Sequence, residues 1–298
     1  MPAESADLLI ADEVARYYHD PLGFVKAMYP WGEPGPLEQH AGPDVWQTEF
    51  LLELGRLVSA NGFDGTHPVA PIRMCVSSGH GIGKSVKVGW LVDWIASTRP
   101  HSQGTITANT FTQLQTKTWA SVQRWTKLCL TGRWFEVTSE RLYHRQFRES
   151  WFVTPQSCRE ENSEAFAGQH AADSTSFYIF DESSAIPDKI FEVAEGGLTD
   201  GEPMIFLFGN ATRSHGKFHR AVFGSEKHRW WSTIVDSRTC RFTNKEQIKE
   251  WVSDYGEDSD FVRVRVRGLP PAASDLQYIA QDLVSAAQKR RDGVPFGD

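Results

Sequence analysis

The densest chemistry in this 298-residue sequence lies in the stretch Cys75 to Trp90, CVSSGHGIGKSVKVGW. Gly79, Gly81 and Gly83 stand there between an apolar run and a helical one, with Lys84 and Ser85 at the seam. Glycines so placed let the backbone curl until successive N–H groups point at an anion, and the next helix adds the partial positive charge of its amino terminus. A lysine directly after the last glycine reaches the β- and γ-phosphates of a nucleotide, and a serine after it can ligate Mg2+. The usual pattern is G-x-x-x-x-G-K-[S/T]; here it reads Ser78, Gly79, His80, Gly81, Ile82, Gly83, Lys84, Ser85. Serine replaces the first glycine, and neighbouring Gly79 can supply the turn. Read alone, GKS also describes an ordinary strand-to-helix turn with a surface lysine; the strand before it and the helix after it favour the phosphate cradle.

Two further stretches carry matching chemistry. FYIFDES places Asp181 at the carboxyl end of an apolar run with Glu182 beside it. The aspartate would hold Mg2+ through water, and the glutamate would orient and activate an attacking water. A water-activating glutamate is expected of ATP hydrolysis and not of small-molecule kinases. MIFLFGNATR ends in Gly209, Asn210, Ala211, Thr212 and Arg213. Polar residues after such a strand could sense the γ-phosphate and couple its loss to movement, or could simply cap a helix starting near His215.

Strand-like runs must carry these groups. They fall at 71–77, 103–109, 150–155, 175–181, 202–210 and 228–235, between helical tracts near 84–98, 111–130, 187–196, 215–222 and 244–254. Helical periodicity also marks 6–18 and 44–58, separated by the Pro/Gly-rich loop YPWGEPGPLEQHAGP. Alternating strands and helices predict an α/β fold with a mainly parallel sheet and function beyond the carboxyl ends of its strands. The run FVRVRVRG alternates like a strand, yet Ser259 before it and Gly268-Leu-Pro after it equally bracket a capped helix, and both remain open. A helix is expected over 280–291, followed by the linker-like tail RRDGVPFGD.

Composition bounds the rest. At 40% hydrophobic residues the chain can fill a core, and no apolar run approaches the roughly 20 residues of a membrane span. Its amino terminus is acidic where an export signal would be basic. Cys75, Cys129, Cys158 and Cys240 form no CxxC or Cys/His pair, which fits a reducing cytoplasm without a zinc site or disulfide framework. A formal charge of −7 argues against bulk attraction to nucleic acid but leaves room for a basic stripe.

SGHGIGKS, then FAGQHA and YIFDESSAIPDKIFEVAEGGLT, then GNATRSHGKFHRA and YGEDSDFVRVRVRGLPP together resemble the large terminase subunit of tailed bacteriophages, over nearly the whole chain. The resemblance implies a P-loop NTPase of the additional-strand, catalytic-glutamate class, a mainly parallel sheet flanked by helices. In the family this domain is the motor that drives double-stranded DNA into a procapsid, and a nuclease domain follows it. Lys84 and Ser85 would be the Walker A pair, Asp181 and Glu182 the Walker B pair, and Gly209, Asn210, Thr212 and Arg213 the coupling motif. ATP and Mg2+ are the implied cofactors. Double-stranded DNA, portal protein, small terminase subunit and further copies in a ring on the portal are the implied partners, with no membrane, in the host cell cytoplasm. The family's adenine-side glutamine matches Gln47 after Trp46, although WQ alone also suits an amphipathic helix with tryptophan in the core.

Two departures from the family stand out. Many members carry arginine in the P-loop where this chain has His80, a weaker partner for a γ-phosphate. The residues after Gly256 are too few for a nuclease domain, so no cleavage is expected of this chain. The expected layout is a helical lead-in over 1–60 with the adenine-side segment, a P-loop core over 61–256, and a subdomain end and linker over 257–298. An arginine acting on a neighbour's nucleotide has candidates at Arg124, Arg133, Arg141, Arg145, Arg148 and Arg159, and no local pattern chooses among them. Arg263, Arg265 and Arg267 would form a DNA-facing stripe if strand-like and spread apart if helical. TANTFTQLQTKTW (107–119) resembles the segment after the second strand of helicase-like ATPases, which touches phosphates or nucleotide. A helicase-like remodelling ATPase and a nucleotide-binding structural adaptor are the competing readings.

Overall fold

A computed structural model of the protein describes residues 3–272; the expected helix at 280–291 and the tail after it lie outside the described residues. Helices α1 (Ala3–Ala15), α2 (Pro21–Met28) and α3 (Val45–Asn61) lead into β1 (Ile72–Ser78), α4 (Lys84–Thr98) and β2 (Gln103–Ala108). The short α5 (Phe111–Gln113) passes through one π-helical segment (Leu114–Trp119) into α6 (Ala120–Leu128), followed by β3 (Phe135–Val137), β4 (Leu142–His144) and β5 (Phe152–Pro155). Then come β6 (Ser176–Asp181), α7 (Asp188–Glu195), β7 (Met204–Gly209), α8 (Gly216–Val222), β8 (Trp231–Val235), α9 (Lys245–Tyr255) and α10 (Asp260–Arg265).

The eight strands form one sheet in the order β3-β4-β5-β2-β6-β7-β1-β8, parallel from β5 to β8. Every residue of β6 and β7 is buried, the signature of central parallel strands covered on both faces. β7 is inserted between the P-loop strand β1 and the acid-bearing strand β6. That insertion is the additional strand the sequence reading called for. β3 and β4 pair antiparallel on the far edge; at three residues each they are too short to show a period in sequence. The sequence reading also passed over α2. Pro21 occupies its first turn and the Asp20 side chain accepts from the Gly23 N–H, so what looks like a loop signal is a helix start.

α4 is buried at every position from Lys87 to Thr98, which makes it the central helix of its layer. Just past its end, Arg99 donates from Nε to Glu202 Oε2 at 2.8 Å, with both side chains fully buried. The guanidinium lies between the rings of Tyr18 and Trp94, 4.0 and 4.3 Å from their centroids. Replacing Arg99 by methionine strands the Glu202 carboxylate in the interior and is expected to cost about 3–5 kcal/mol, read as a lowered urea midpoint. Glu202→Gln with Arg99→Met should recover part of that loss, because the stranded charge is then gone.

The segment left open in sequence is helical. Ser259 Oγ accepts from the Val262 N–H at 3.2 Å to start α10, and Gly268, at φ +68°, follows its end. The three arginines therefore spread: Arg263 donates to the Pro270 carbonyl, Arg267 pairs with Glu257 and Asp258, and Arg265 is exposed.

Candidate active site

The sheet register brings the chemistry together. Ser77 pairs with Gly209, Phe180 with Leu207, and Ala108 with Asp181, so β1, β7, β6 and β2 end on one rim. The chain leaves β1 through Gly79 to Gly83 and enters α4 at Lys84. Gly81 and Gly83 take φ of +77° and +83°, the left-handed region a side chain resists. Gly83 caps α4 with no side-chain partner, which leaves the first N–H groups of the helix for an anion.

Gly79 has a different reason to be glycine: its φ is ordinary, but a Cβ there would lie 2.3 Å from the Val266 carbonyl and 2.7 Å from that of Arg265. The end of α10 is pressed against the loop from behind. The His80 N–H donates to the Arg265 carbonyl at 2.7 Å, Ser237 Oγ to the His80 carbonyl at 2.7 Å, and Ser77 Oγ to the Gly268 carbonyl at 2.7 Å. From the front, Trp46 Nε1 donates to the Ile82 carbonyl at 3.0 Å and Gln47 Nε2 to that of Gly83 at 3.3 Å. Gln47 Oε1 accepts from the Asp44 N–H in the capping box of α3. Lys87 is fully buried, donates to the Gln47 carbonyl at 2.6 Å and sits 4.8 Å from the Phe50 ring centroid, tying α3 to α4.

Lys84 Nζ donates to Ser78 Oγ at 3.2 Å and to Asn210 Oδ1 at 3.1 Å, and Asn210 Nδ2 in turn donates to the Ser78 carbonyl at 2.5 Å. The serine in place of the first glycine thus holds the lysine, and Asn210, just past β7, ties loop and lysine together. Burial pulls the Lys84 amine below its ordinary value, opposed by Glu182 and Asp181. Asp181 Oδ2 accepts from Thr118 Oγ1 at 2.7 Å and faces Ser85 Oγ at 3.5 Å; Oδ1 accepts from the Glu182 N–H at 3.0 Å. One carboxylate and one hydroxyl side by side are a donor set that suits Mg2+, which keeps several waters and shares phosphate oxygens.

Glu182 adopts φ +51°, a left-handed conformation for a non-glycine residue. Its carboxyl is raised above its ordinary value by burial, with Lys84 opposing and Asp181 reinforcing. Among the described residues its carboxylate has no hydrogen-bond partner. Thr212 and Ser184 exchange a short hydroxyl contact, and the Thr212 N–H donates to Ser184 Oγ at 3.2 Å, joining the segment after β7 to the turn after Glu182. A Cβ added at Gly209 would lie 3.3 Å from the Ser183 nitrogen and 3.2 Å from the Phe218 ring. Arg213 is exposed and stands apart from this network.

Beside the loop opens a cavity of about 460 Å³, lined by Trp31, Gln47, Gly81, Gly83, Trp90 and Trp125 among others. Trp90 meets Trp125 edge-on at 5.3 Å and Trp31 at 5.7 Å, and its buried indole N–H has no partner among the described residues. Sequence reading missed this aromatic wall and the α10 brace. The tryptophans come from α4, α6 and the loop between α2 and α3, and nothing local marks them as neighbours.

No protein-family model matches the sequence. The chain is 29% identical over 237 residues to a probable terminase large subunit of Enterobacteria phage P7, an alignment covering 74% of this chain and 47% of that protein. Its fold matches the large terminase of a thermophilic bacteriophage with a TM-score of 0.55, at 14% identity, over 70% of this chain and 52% of that one. The same thermophilic-phage protein in complex with ADP matches with a TM-score of 0.53 at 12% identity, over 67% of this chain and 48% of that one. The HK97 bacteriophage large terminase matches with a TM-score of 0.52 at 12% identity, over 92% of this chain and 52% of that one. The chain spans about half the length of the relatives it matches. In sequence and in fold, with its glycine loop, its inserted strand and its paired acids on one rim, the chain is similar to the large terminase subunits of bacteriophages.

Proposed function

We propose that this chain is the ATPase motor of a phage terminase large subunit, hydrolysing ATP with Mg2+ to drive double-stranded DNA into a procapsid. The observation that carries this reading is the meeting of Lys84, Asn210, Asp181 and Glu182 at one strand rim, from the ends of two strands and a helix start. The base of ATP enters the aromatic cavity beside Gln47, and the phosphates lie on the N–H groups of Gly81 to Ser85. Mg2+ held by Ser85 and, through water, by Asp181 would neutralise phosphate charge. Lys84 holds the γ-phosphate. Glu182 takes a proton from the water attacking the γ-phosphorus, the bond to the β,γ-bridging oxygen breaks, and ADP and phosphate leave.

The coupling step follows from the hydrogen bonds. Asn210 shares Lys84 with the γ-phosphate, so loss of phosphate returns the amine to Asn210 and shifts the Gly209–Arg213 segment, which Thr212 ties to the turn after Glu182. Duplex DNA, portal protein, small terminase subunit and a ring of copies are the proposed partners, in the host cytoplasm. The lead-in over 1–60, core over 61–256 and end segment over 257–298 remain the proposed layout.

The test is Mg2+-dependent ATP hydrolysis by this chain with and without duplex DNA, beside ATP binding. Turnover that rises with DNA supports the motor. Binding without turnover at any protein concentration favours a structural adaptor, and failure to bind ATP removes the P-loop reading.

A further inference from the structure

Lys117 lies on the π-helical segment Leu114–Trp119 that follows β2. Single π turns are rare and recur at functional sites. The chain is pinned just after Lys117: Thr118 Oγ1 donates to Asp181 Oδ2 at 2.7 Å, and Ser121 Oγ, at the start of α6, donates to the Ser85 carbonyl at 2.9 Å. Those anchors are the acid and the serine assigned to Mg2+. The Lys117 side chain is exposed, lines the cavity with Gly81 and Gly83, and makes no hydrogen bond or ion pair among the described residues.

Facing it, the loop Ser78–Ser85 carries one permanent cation, Lys84, beside the imidazole of His80. Burial, with Lys84, Arg265 and Lys117 nearby, pulls the His80 imidazole down to about 4, so it is neutral at pH 7. A triphosphate brings up to four negative charges to this loop, and an unpaired ammonium on a flexible stem is the group placed to meet them.

We infer that Lys117 is a second phosphate ligand of this site, acting within its own chain on the β,γ end of a bound nucleoside triphosphate beside Lys84. The inference rests on the nucleotide reading above.

It is tested by titrating AMP, ADP and ATP into the wild-type chain, Lys117→Met and Lys117→Arg. ATP affinity of Lys117→Met should fall about tenfold or more while AMP affinity stays unchanged, as expected for loss of one charge-assisted bond to a terminal phosphate. Lys117→Arg should keep most of the ATP affinity. Equal weakening of AMP and ATP would show a structural role and overturn the inference, as would unchanged ATP affinity. Wild-type chain that binds ATP alongside such a variant leaves the nucleotide reading standing and removes only this assignment; wild-type chain that binds no ATP removes both. Mixing Lys117→Met with Glu182→Gln checks the route: mixtures should regain no turnover, and recovery would place the lysine in a neighbour's site.

Discussion

Replacing Glu182 by glutamine should lower ATP turnover about thousandfold, the usual range for removing a positioned general base, while ATP binding is kept or tightened. The amide has nearly the same shape and leaves Asp181, Ser85 and Lys84 in place, so phosphate binding survives. It also removes a negative charge facing the γ-phosphate. What is lost is a proton acceptor. The same carboxyl gives a pH signature: burial raises its pKa above 4.5, so wild-type turnover should fall as pH drops through that raised value and flatten above it, because only the ionised form accepts a proton. Single-turnover hydrolysis and nucleotide titration on both proteins, across pH, read these effects separately. Weakened binding in Glu182→Gln, or turnover within tenfold of wild type, would show that another group is the base.

Gly79→Ala should be the most damaging single methyl in the site. The new Cβ would lie 2.2 Å from Ser237 Oγ, 2.3 Å from the Val266 carbonyl and 2.7 Å from the Arg265 carbonyl. Two of these are backbone atoms, so relief requires the loop or the end of α10 to move. Either movement breaks the bond from the His80 N–H to the Arg265 carbonyl and threatens that from the Ser237 N–H to the Val266 carbonyl. Overpacking with a lost buried hydrogen bond is expected to cost about 2–4 kcal/mol and to disturb the N–H groups that receive phosphate. Urea unfolding and ATP titration of Gly79→Ala should therefore both change. Gly196→Ala is the control: its φ is −62° and an added Cβ meets nothing within 4 Å, so it should be neutral or slightly stabilising. A Gly79→Ala protein as stable as wild type would mean that α10 does not brace the loop.

These two expectations draw on different information. Glu182 is visible in the sequence because its chemistry follows an apolar run in the chain, and a strand end projects whatever comes next onto the rim. The same holds for Lys84 and Ser85, placed by a strand, a glycine turn and a helix start that are contiguous. Local order of this kind also made the α/β alternation and most element positions readable, since each rests on a period of neighbouring side chains. It failed for α2, where a proline reads equally as loop and as first turn, and for α10, where alternation and capping gave opposite answers within eight residues.

What the sequence by itself determined is the set of candidate site residues and the strands and helix that carry them. What only the tertiary structure decided is how they are held. Lys84 reaches Asn210 across 126 positions, the glycine loop and the end of β1 lean on carbonyls of residues 265 and 268, and Thr118, beside Lys117, donates to Asp181. Such contacts depend on strand order and on the packing of α10 behind β1, and no local pattern encodes which distant backbone or side-chain atom will complete a hydrogen bond.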